Sequence, residues 1–323
     1  MALLGVLGQD STFGDQSNPA AVIERRWQSR RGVDGFGTPN PPKNELAGQA
    51  TEMNLEKLKK NYPNVGLEEL YELFPRIAMT DYPELSEYSW EACHQDSLGG
   101  GALFLASEMA RKMELEVGMR VLDLGCGRGA SSIFLAKHYG VTVVAADNWV
   151  LPSANWQCVQ REGLDDEVIP VKMDARNIFF PEGYFDAVFS MNAYLYFGTD
   201  DLFLPYLTKF IRSSGRICIA GPCYAEELGP DTPKELLEDE SFAYHSPHWW
   251  GNHFTKTDLV NVLHCQEHTK GREFWLDMIR WIIEDSQNRG EAYPDFLLHD
   301  MVMLLGDQER FVTYFLLLAE KKP

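Results

Sequence analysis

Basic residues are scarce in this chain of 323 residues, where 29 Lys and Arg stand against 48 Asp and Glu and the formal net charge is −19. A protein that binds nucleic acid normally carries a basic surface, because contacts with phosphate dominate the affinity. Anionic membrane surfaces attract basic segments for the same reason. We therefore expect neither a nucleic-acid partner nor a membrane partner.

The sequence also lacks a long apolar run and a clustered set of cysteines. No stretch approaches the roughly 20 apolar residues that a membrane helix needs, and the first residues, MALLGVLGQD, have no basic region and make a poor signal peptide. No CxxC motif occurs among the six cysteines, which are Cys93, Cys126, Cys158, Cys218, Cys223 and Cys265. We expect free thiols in a reducing cytoplasm.

The most informative segment that is present is Met119–Asp147. An apolar run, Val121–Leu124, leads into a glycine-rich turn, a helical pattern follows, and a second apolar run ends on Asp147. This order of strand, glycine turn, helix and strand is typical of half of a nucleotide-binding α/β unit. The glycines allow a ligand to approach the backbone closely, and the carboxylate of Asp147 at the tip of the second strand can accept both ribose hydroxyls.

Asp123 indicates which kind of nucleotide ligand this turn would bind. It stands two residues before Gly125, where the first strand meets the loop. A pyrophosphate at a helix N-terminus needs positive potential, and a carboxylate would repel it. A ligand with a cationic amine and a sulfonium, and without phosphate, fits better. S-adenosylmethionine (SAM) is such a ligand.

The segment resembles the class I SAM-dependent methyltransferases. That family's motifs match five segments in order, roughly within residues 98–222: VLDLGCGRG, VTVVAAD, Val171–Ala175, Tyr184–Ser190 and Gly215–Ala220. The resemblance implies an α/β fold with a Rossmann-like, seven-stranded methyltransferase sheet, mostly parallel with an antiparallel last strand. Within the family, the chain looks most like small-molecule methyltransferases that are grouped with cyclopropane-fatty-acid synthases.

The resemblance also implies a set of cofactor-binding residues. Gly125, Gly127 and Gly129 would lie under the methionine moiety of SAM, with Asp123 near its amine and Asp147 on its ribose.

The adenine and the sulfonium have further candidates. By the same resemblance, Asp174 would accept a hydrogen bond from the adenine amino group, and the backbone of Ala175 would contact the ring. Trp149 either stacks on the adenine or packs as a surface aromatic residue. Asn192 and Tyr194 follow the fourth strand, which places them beside the sulfonium.

Tyr194 and His245 are the candidate catalytic residues. Tyr194 either orients the nucleophile through its hydroxyl and attracts the cation with its ring, or forms only a wall of the pocket. His245 lies in a predicted loop before a helix that Ser246 and Pro247 would begin, and it could act as a base if the acceptor arrives protonated. The spacing of His245, His248 and His253 also invites a zinc site. His248 and His253 would point in different directions from a helix, so we expect no metal.

Four segments make up the predicted domain organisation. Residues 1–50 form an irregular arm that is either partly disordered or packed on a neighbouring subunit of a homo-oligomer, and residues 51–97 form a helical lid segment. Residues 98–222 form the SAM-binding core. Residues 223–323 supply an acceptor-side lid, a helical insertion and the last strands. The many aromatic residues on both sides of the core either close over the site or fill a helical subdomain.

The leading hypothesis is therefore a SAM-dependent methyltransferase that acts on a small molecule at N, O, S or an activated carbon. Two alternatives remain open. One is cyclopropane-type alkylation of lipid chains, which the acidic charge disfavours. The other is a non-catalytic SAM-binding scaffold or regulatory subunit.

Overall fold

A seven-stranded sheet forms the centre of the structure, a computed structural model that describes residues 74–230, 232, 243–291, 293–294, 297, 300–301, 304 and 312–323. The strands lie in the order β3-β2-β1-β4-β5-β7-β6. Their bounds are β1 Arg120–Leu124, β2 Thr142–Asp147, β3 Val168–Lys172, β4 Phe185–Met191, β5 Ile211–Tyr224, β6 Val260–Glu267 and β7 Val312–Lys321.

The directions of the strands confirm the predicted fold. Strands β1 to β5 pair in parallel with one another, and β7 is antiparallel to both β5 and β6. The order reverses between β1 and β4, because β2 and β3 extend to one side of β1 and the later strands to the other. In open α/β sheets such a switch point lies beside the ligand, at the carboxyl ends of the strands.

Helices connect the strands and pack on the sheet. Their bounds are α1 Trp90–His94, α2 Ala102–Met113, α3 Ala130–Tyr139, α4 Pro152–Glu162, α5 Phe203–Leu207, α6 Pro247–Thr255 and α7 Gly271–Arg289. Helix α2 packs against β5, α3 against β2, α6 against β6 and α7 against β7. None of the helices described is long and apolar enough to span a bilayer.

Local signals in the sequence set several helix ends. The Oγ of Ser246 accepts a hydrogen bond from the N–H of Trp249 at 3.2 Å, and Pro247 occupies the first turn of α6, as predicted. The apolar spacing of the sequence predicts a helix from Ala102 to about Met113, and α2 spans these residues. It also predicts a helix over 272–288 and strands over 259–264 and 310–319, and α7, β6 and β7 occur there with ends shifted by a few residues. The predicted arm over 1–50, residues 51–73 of the predicted lid and most of a further helix that the pattern predicts over 294–305 lie outside the described residues.

A buried polar cluster links the segment before the core to α7. Asp277 is fully buried, and its Oδ1 accepts hydrogen bonds from the N–H of Ile77 at 2.8 Å and from Nε1 of Trp90 at 2.9 Å. Its Oδ2 lies 2.8 Å from Nε2 of the buried His94. The ring of His94 stacks on Trp281, with 5.5 Å between centroids. One carboxylate therefore holds α1 and its preceding chain against α7.

Candidate functional site

A cavity of about 460 Å³ opens at the carboxyl ends of β1, β2 and β4, beside the switch point of the sheet. Its walls come from the glycine loop after β1, the tip of β2, the loop after β3, the loop after β4 and the chain that precedes α2. Except for the chain that precedes α2, these are the segments whose motifs the sequence analysis identified.

The glycine loop lies along one wall of the cavity with its backbone exposed to it. Gly125 has a φ of +82°, and a Cβ built there would lie 2.2 Å from the Cβ of Ala193. Gly127 has a φ of +55°, and its Cβ would lie 2.9 Å from Cδ1 of Leu98. Any other residue would be strained and would displace its neighbours. Gly129 is the N-cap residue of α3 and lies outside the cavity lining.

Asp147 lines the cavity at the end of β2 and also organises the loops around it. Its Oδ2 accepts a hydrogen bond from the N–H of Gly127 at 2.9 Å. Its Oδ1 accepts from the N–H groups of Trp149 at 2.6 Å and Val150 at 2.8 Å. The carboxylate thus fixes the glycine loop and the chain after β2 relative to each other.

Asp123 occupies a different place from the one the sequence suggested. It is buried below the loop and outside the cavity lining, and its Oδ2 accepts hydrogen bonds from the hydroxyls of Ser131 at 2.6 Å and Ser132 at 2.7 Å. Burial raises the pKa of Asp123 to about 6, and the two serine hydrogen bonds oppose that shift. Asp123 therefore anchors the first turn of α3 and does not line the cavity.

The raised pKa predicts a pH-dependent contribution of Asp123 to stability. Because the folded-state pKa exceeds the unfolded value of about 3.9, this contribution is complete below about pH 4 and is lost as the pH rises through about 6. The free energy of unfolding of the wild type, relative to that of Asp123→Asn, should fall by about 3 kcal/mol between about pH 4 and pH 7. Urea unfolding of both proteins across this range measures the difference. A difference independent of pH would show that the buried group does not titrate in this way.

The loop after β3 and the tip of β2 form the far end of the cavity. Asp174, Ala175 and Trp149 all line it, as expected of residues around an adenine ring. Oδ1 of Asp174 accepts a hydrogen bond from the N–H of Arg176 at 2.8 Å, which leaves Oδ2 available. The ring of Trp149 contacts that of Tyr196, with 5.7 Å between centroids. Trp149 is therefore part of the wall.

Asn192 lines the cavity directly after β4, in a left-handed conformation with a φ of +59°. Its Nδ2 donates a hydrogen bond to the carbonyl of Gly100 at 2.9 Å. Its Oδ1 is buried and has no hydrogen-bond partner among the described residues. Gly99 packs so closely that an added Cβ would lie 2.5 Å from Nδ2. The side chain of Asn192 thus joins the chain before α2 to the end of β4, and its Oδ1 accepts no hydrogen bond from the described residues.

The structure places Tyr194 in the interior, away from the cavity lining. Its side chain is 2% exposed, with its ring centroid 5.6 Å from Phe203 and 5.8 Å from both Trp250 and Phe254. Burial raises the pKa of its hydroxyl. Tyr196, two residues further along a short 3₁₀ turn, lines the cavity instead. The turn directs one tyrosine inward to the core and the other to the site.

His245 also lies outside the cavity lining. Its Nδ1 lies 3.1 Å from Oε2 of Glu227, and its ring stacks on Trp249 with 3.8 Å between centroids. His253, further along α6, places Nε2 2.9 Å from the carbonyl of Gly198. These contacts give both rings structural roles. Over the described ranges, no three His, Cys, Asp or Glu side chains form a group that could hold a metal ion.

Sequence reasoning missed several lining residues. One group, which precedes α2 in the chain, comprises Asp96, Ser97 and Leu98. The other two residues are Cys126, between two glycines of the loop, and Arg176, which follows Ala175. The Gly99-Gly100-Gly101 run was the available signal for the first group, since a glycine run before a helix indicates close packing of the backbone.

Comparisons with known proteins agree with this geometry. Residues 121–215 match the family described as Methyltransferase domain. The chain is 22% identical over 169 residues to phosphoethanolamine N-methyltransferase 1 of Arabidopsis thaliana, which covers 52% of this chain and 34% of that protein. The matched part thus spans about a third of that relative's length. The similarity to solved structures in fold extends over more of this chain.

Two solved structures share the fold at low sequence identity. Phosphoethanolamine N-methyltransferase 2 of Haemonchus contortus, in complex with phosphomonomethylethanolamine and S-adenosylhomocysteine, has a TM-score of 0.60 and 17% identity over 77% of this chain and 62% of its own. The [4+2]-cyclase SpnF has a TM-score of 0.58 and 17% identity over 88% of this chain and 98% of its own.

The fold and the cavity define a Rossmann-like α/β protein with a ligand site at the switch point of its sheet. Residues 121–215 match the methyltransferase-domain family, which confirms the resemblance to class I SAM-dependent methyltransferases.

Proposed function

We propose that this protein is a SAM-dependent methyltransferase that acts on a small molecule. The observation that carries the proposal is the pairing of the glycine loop with Asp147 at one wall of a cavity of about 460 Å³. The exposed loop backbone accepts a ligand without side chains in the way, and the carboxylate at the strand tip suits a ribose. The match of residues 121–215 to the methyltransferase-domain family supports the same reading.

The residues present fit SAM along the length of the cavity. Gly125 and Gly127 would lie against the methionine portion, Asp147 would hold the ribose, and Asp174 with Ala175 would hold the adenine. Bound SAM supplies an electrophilic methyl group, so the protein needs mainly to align the acceptor and to exclude water. The aromatic wall and the asparagine after β4 perform that task in this proposal.

Tyr196 replaces Tyr194 as the tyrosine that we propose beside the reacting groups. Tyr196→Ala removes a wall of the cavity and should lower turnover at least about tenfold, because the apolar contact of a large side chain is worth about 1.5–3 kcal/mol. Tyr194→Phe is the matched control, since the Tyr194 hydroxyl has no partner among the described residues. Release of S-adenosylhomocysteine measures turnover in both. A greater loss in Tyr194→Phe would reverse the assignment.

The proposed reaction itself is tested by binding and product release together. Isothermal titration with SAM and S-adenosylhomocysteine should show that both bind, and incubation with SAM and a mixture of small amines, alcohols and thiols should release S-adenosylhomocysteine. Binding without release from any acceptor would favour a scaffold or another chemistry, as the likeness to a [4+2]-cyclase illustrates. Release only with phospholipid vesicles would favour lipid alkylation.

We also propose that the protein acts in the cytoplasm on a small-molecule acceptor, without a nucleic-acid partner. Light scattering tests whether the chain forms a homo-oligomer. All six cysteines carry free thiols, which a reducing compartment preserves. The net charge of −19 supports the absence of a nucleic-acid partner.

A further inference from the structure

Hydrogen bonds within the backbone hold most of the glycine loop. The N–H groups of Gly125 and Cys126 donate to the carbonyl of Ala146 on β2, at 2.8 Å and 3.1 Å. The N–H of Gly129 donates to the carbonyl of Cys126 at 2.9 Å. These contacts require no particular side chain. Gly127, which lies between these residues, is held in a different way.

Side chains hold Gly127 at both ends. Its N–H donates to Oδ2 of Asp147 at 2.9 Å, and its carbonyl accepts from Nδ2 of Asn155 on α4 at 2.9 Å. Because each peptide group is planar, the two hydrogen bonds fix the orientation of the peptides on either side of Gly127. Gly127 lines the cavity, so these bonds help to determine the shape of one of its walls.

Asn155 lies behind the glycine loop and not in the cavity. It is 3% exposed and is not among the residues that line the cavity. A Cβ built on Gly129 would lie 3.7 Å from Cγ of Asn155, which is an ordinary van der Waals distance. Asp147 lines the cavity itself, whereas Asn155 acts on the cavity only through the loop that it contacts.

One polar atom of Asn155 has no partner. Its Oδ1 is buried and accepts no hydrogen bond from the described residues. A leucine has the same branched shape without this oxygen, but it would leave the carbonyl of the buried Gly127 unpaired. Either residue thus leaves one acceptor without a partner, so pairing alone gives asparagine little advantage for stability. What asparagine adds is a fixed direction for the Gly127 carbonyl.

We propose that Asn155 is a positioning residue for SAM, which acts by holding the carbonyl of Gly127. Asp147 and Asn155 together fix the two ends of this glycine before the ligand arrives. A loop that is already ordered binds more tightly, because it loses less conformational freedom on binding. This inference rests on the proposed methyltransferase function and adds to it a residue outside the cavity.

Asn155→Leu tests the contact without any ligand. The variant keeps the branched shape and removes the donor, so the glycine loop should open more often. The peptide that contains Gly125–Gly129 should exchange its amide hydrogens about threefold to tenfold faster than in the wild type, the effect of one net hydrogen bond. Hydrogen–deuterium exchange with mass spectrometry measures the rates, and peptides from β5 should exchange as before. The urea midpoint should stay within about 0.5 M of that of the wild type.

The same variant should weaken the binding of S-adenosylhomocysteine about threefold to tenfold in isothermal titration. In turnover, KM for SAM should rise by a similar factor while kcat stays nearly unchanged, because the loop contacts the ligand equally in the ground state and the transition state. If Asn155→Leu does not fold, Asn155→Ala removes the same donor with a smaller side chain.

Thr208→Val is the matched control. Thr208 is 4% exposed and lies outside the cavity lining, and its hydroxyl donates to the carbonyl of Pro205 at 3.1 Å. The substitution therefore also removes a buried hydrogen bond from a side chain to a carbonyl, at a place that does not touch the glycine loop. Both the affinity for S-adenosylhomocysteine and the exchange of the loop peptide should equal those of the wild type.

Each outcome has a distinct meaning. Unchanged exchange of the loop peptide or unchanged affinity in a folded Asn155 variant would overturn the proposal, and so would an equal loss of affinity in Thr208→Val. Failure of the wild type to bind S-adenosylhomocysteine would instead overturn the proposed function. The exchange rates would then still decide whether Asn155 holds the loop.

Discussion

Asp277→Ala should lower the free energy of unfolding by about 3–5 kcal/mol, because it leaves several buried polar groups unpaired and each costs about 1–3 kcal/mol. Asp277 is fully buried, and its carboxylate contacts the N–H of Ile77, Nε1 of Trp90 and Nε2 of His94. Truncation would leave all three groups without their partner inside the protein. Urea unfolding followed by circular dichroism measures the loss.

Two further variants show whether the buried contacts are the cause. Asp277→Asn keeps an oxygen for Ile77 and Trp90 and should have an intermediate effect. Asp285→Ala on the same helix removes a half-exposed pair with Arg289, and it should change stability by no more than about 0.5 kcal/mol. Equal losses in Asp277→Ala and Asp285→Ala would contradict the central role of the buried carboxylate.

Asp147→Ala should weaken SAM binding at least about 100-fold. Two charge-assisted hydrogen bonds to the ribose would be lost, each worth about 1.5–3 kcal/mol. The variant would also release the N–H groups of Gly127, Trp149 and Val150, so the glycine loop would lose its anchor. Isothermal titration measures the affinity, and circular dichroism checks that the fold is intact.

Asp166→Ala offers a control for this variant. Asp166 is exposed in the turn before β3 and lies outside the cavity, so its removal should leave the affinity unchanged. Wild-type affinity in Asp147→Ala, with an intact fold, would mean that the ribose lies elsewhere.

Local sequence signals predicted the fold and most of the segments that line the cavity. The glycine turn, the apolar runs and the carboxylate at the tip of β2 are near one another in the chain, so their spacing determines their relative positions. The same holds for the cap at Ser246 and for the bounds of α2.

The direction of individual side chains could not be predicted in the same way. Tyr194 and Tyr196 are two residues apart, but a 3₁₀ turn after the left-handed Asn192 decides which of them reaches the cavity. The sequence pattern predicts that Asp123 contacts the ligand. In the structure its buried carboxylate accepts hydrogen bonds from the hydroxyls of Ser131 and Ser132 on the next helix. Both cases depend on backbone geometry that a spacing pattern does not contain.

Contacts between distant segments of the chain could not be predicted from the sequence either. Asp277 on α7 lies beside His94 on α1, and Trp275 on α7 contacts Tyr314 on β7. Hydrophobic periodicity places each residue on its own helix or strand, but it says nothing about which partner lies opposite.

The most direct test of the central claim is isothermal titration of S-adenosylhomocysteine into the wild type and Gly125→Val. A valine side chain at Gly125 would meet Ala193 and would resist the positive φ, so the loop could not keep its shape against the ligand. We expect one binding site in the wild type and no measurable binding in a folded Gly125→Val protein. Absence of binding by the wild type, or equal affinity in both proteins, would contradict the assignment of this cavity to SAM.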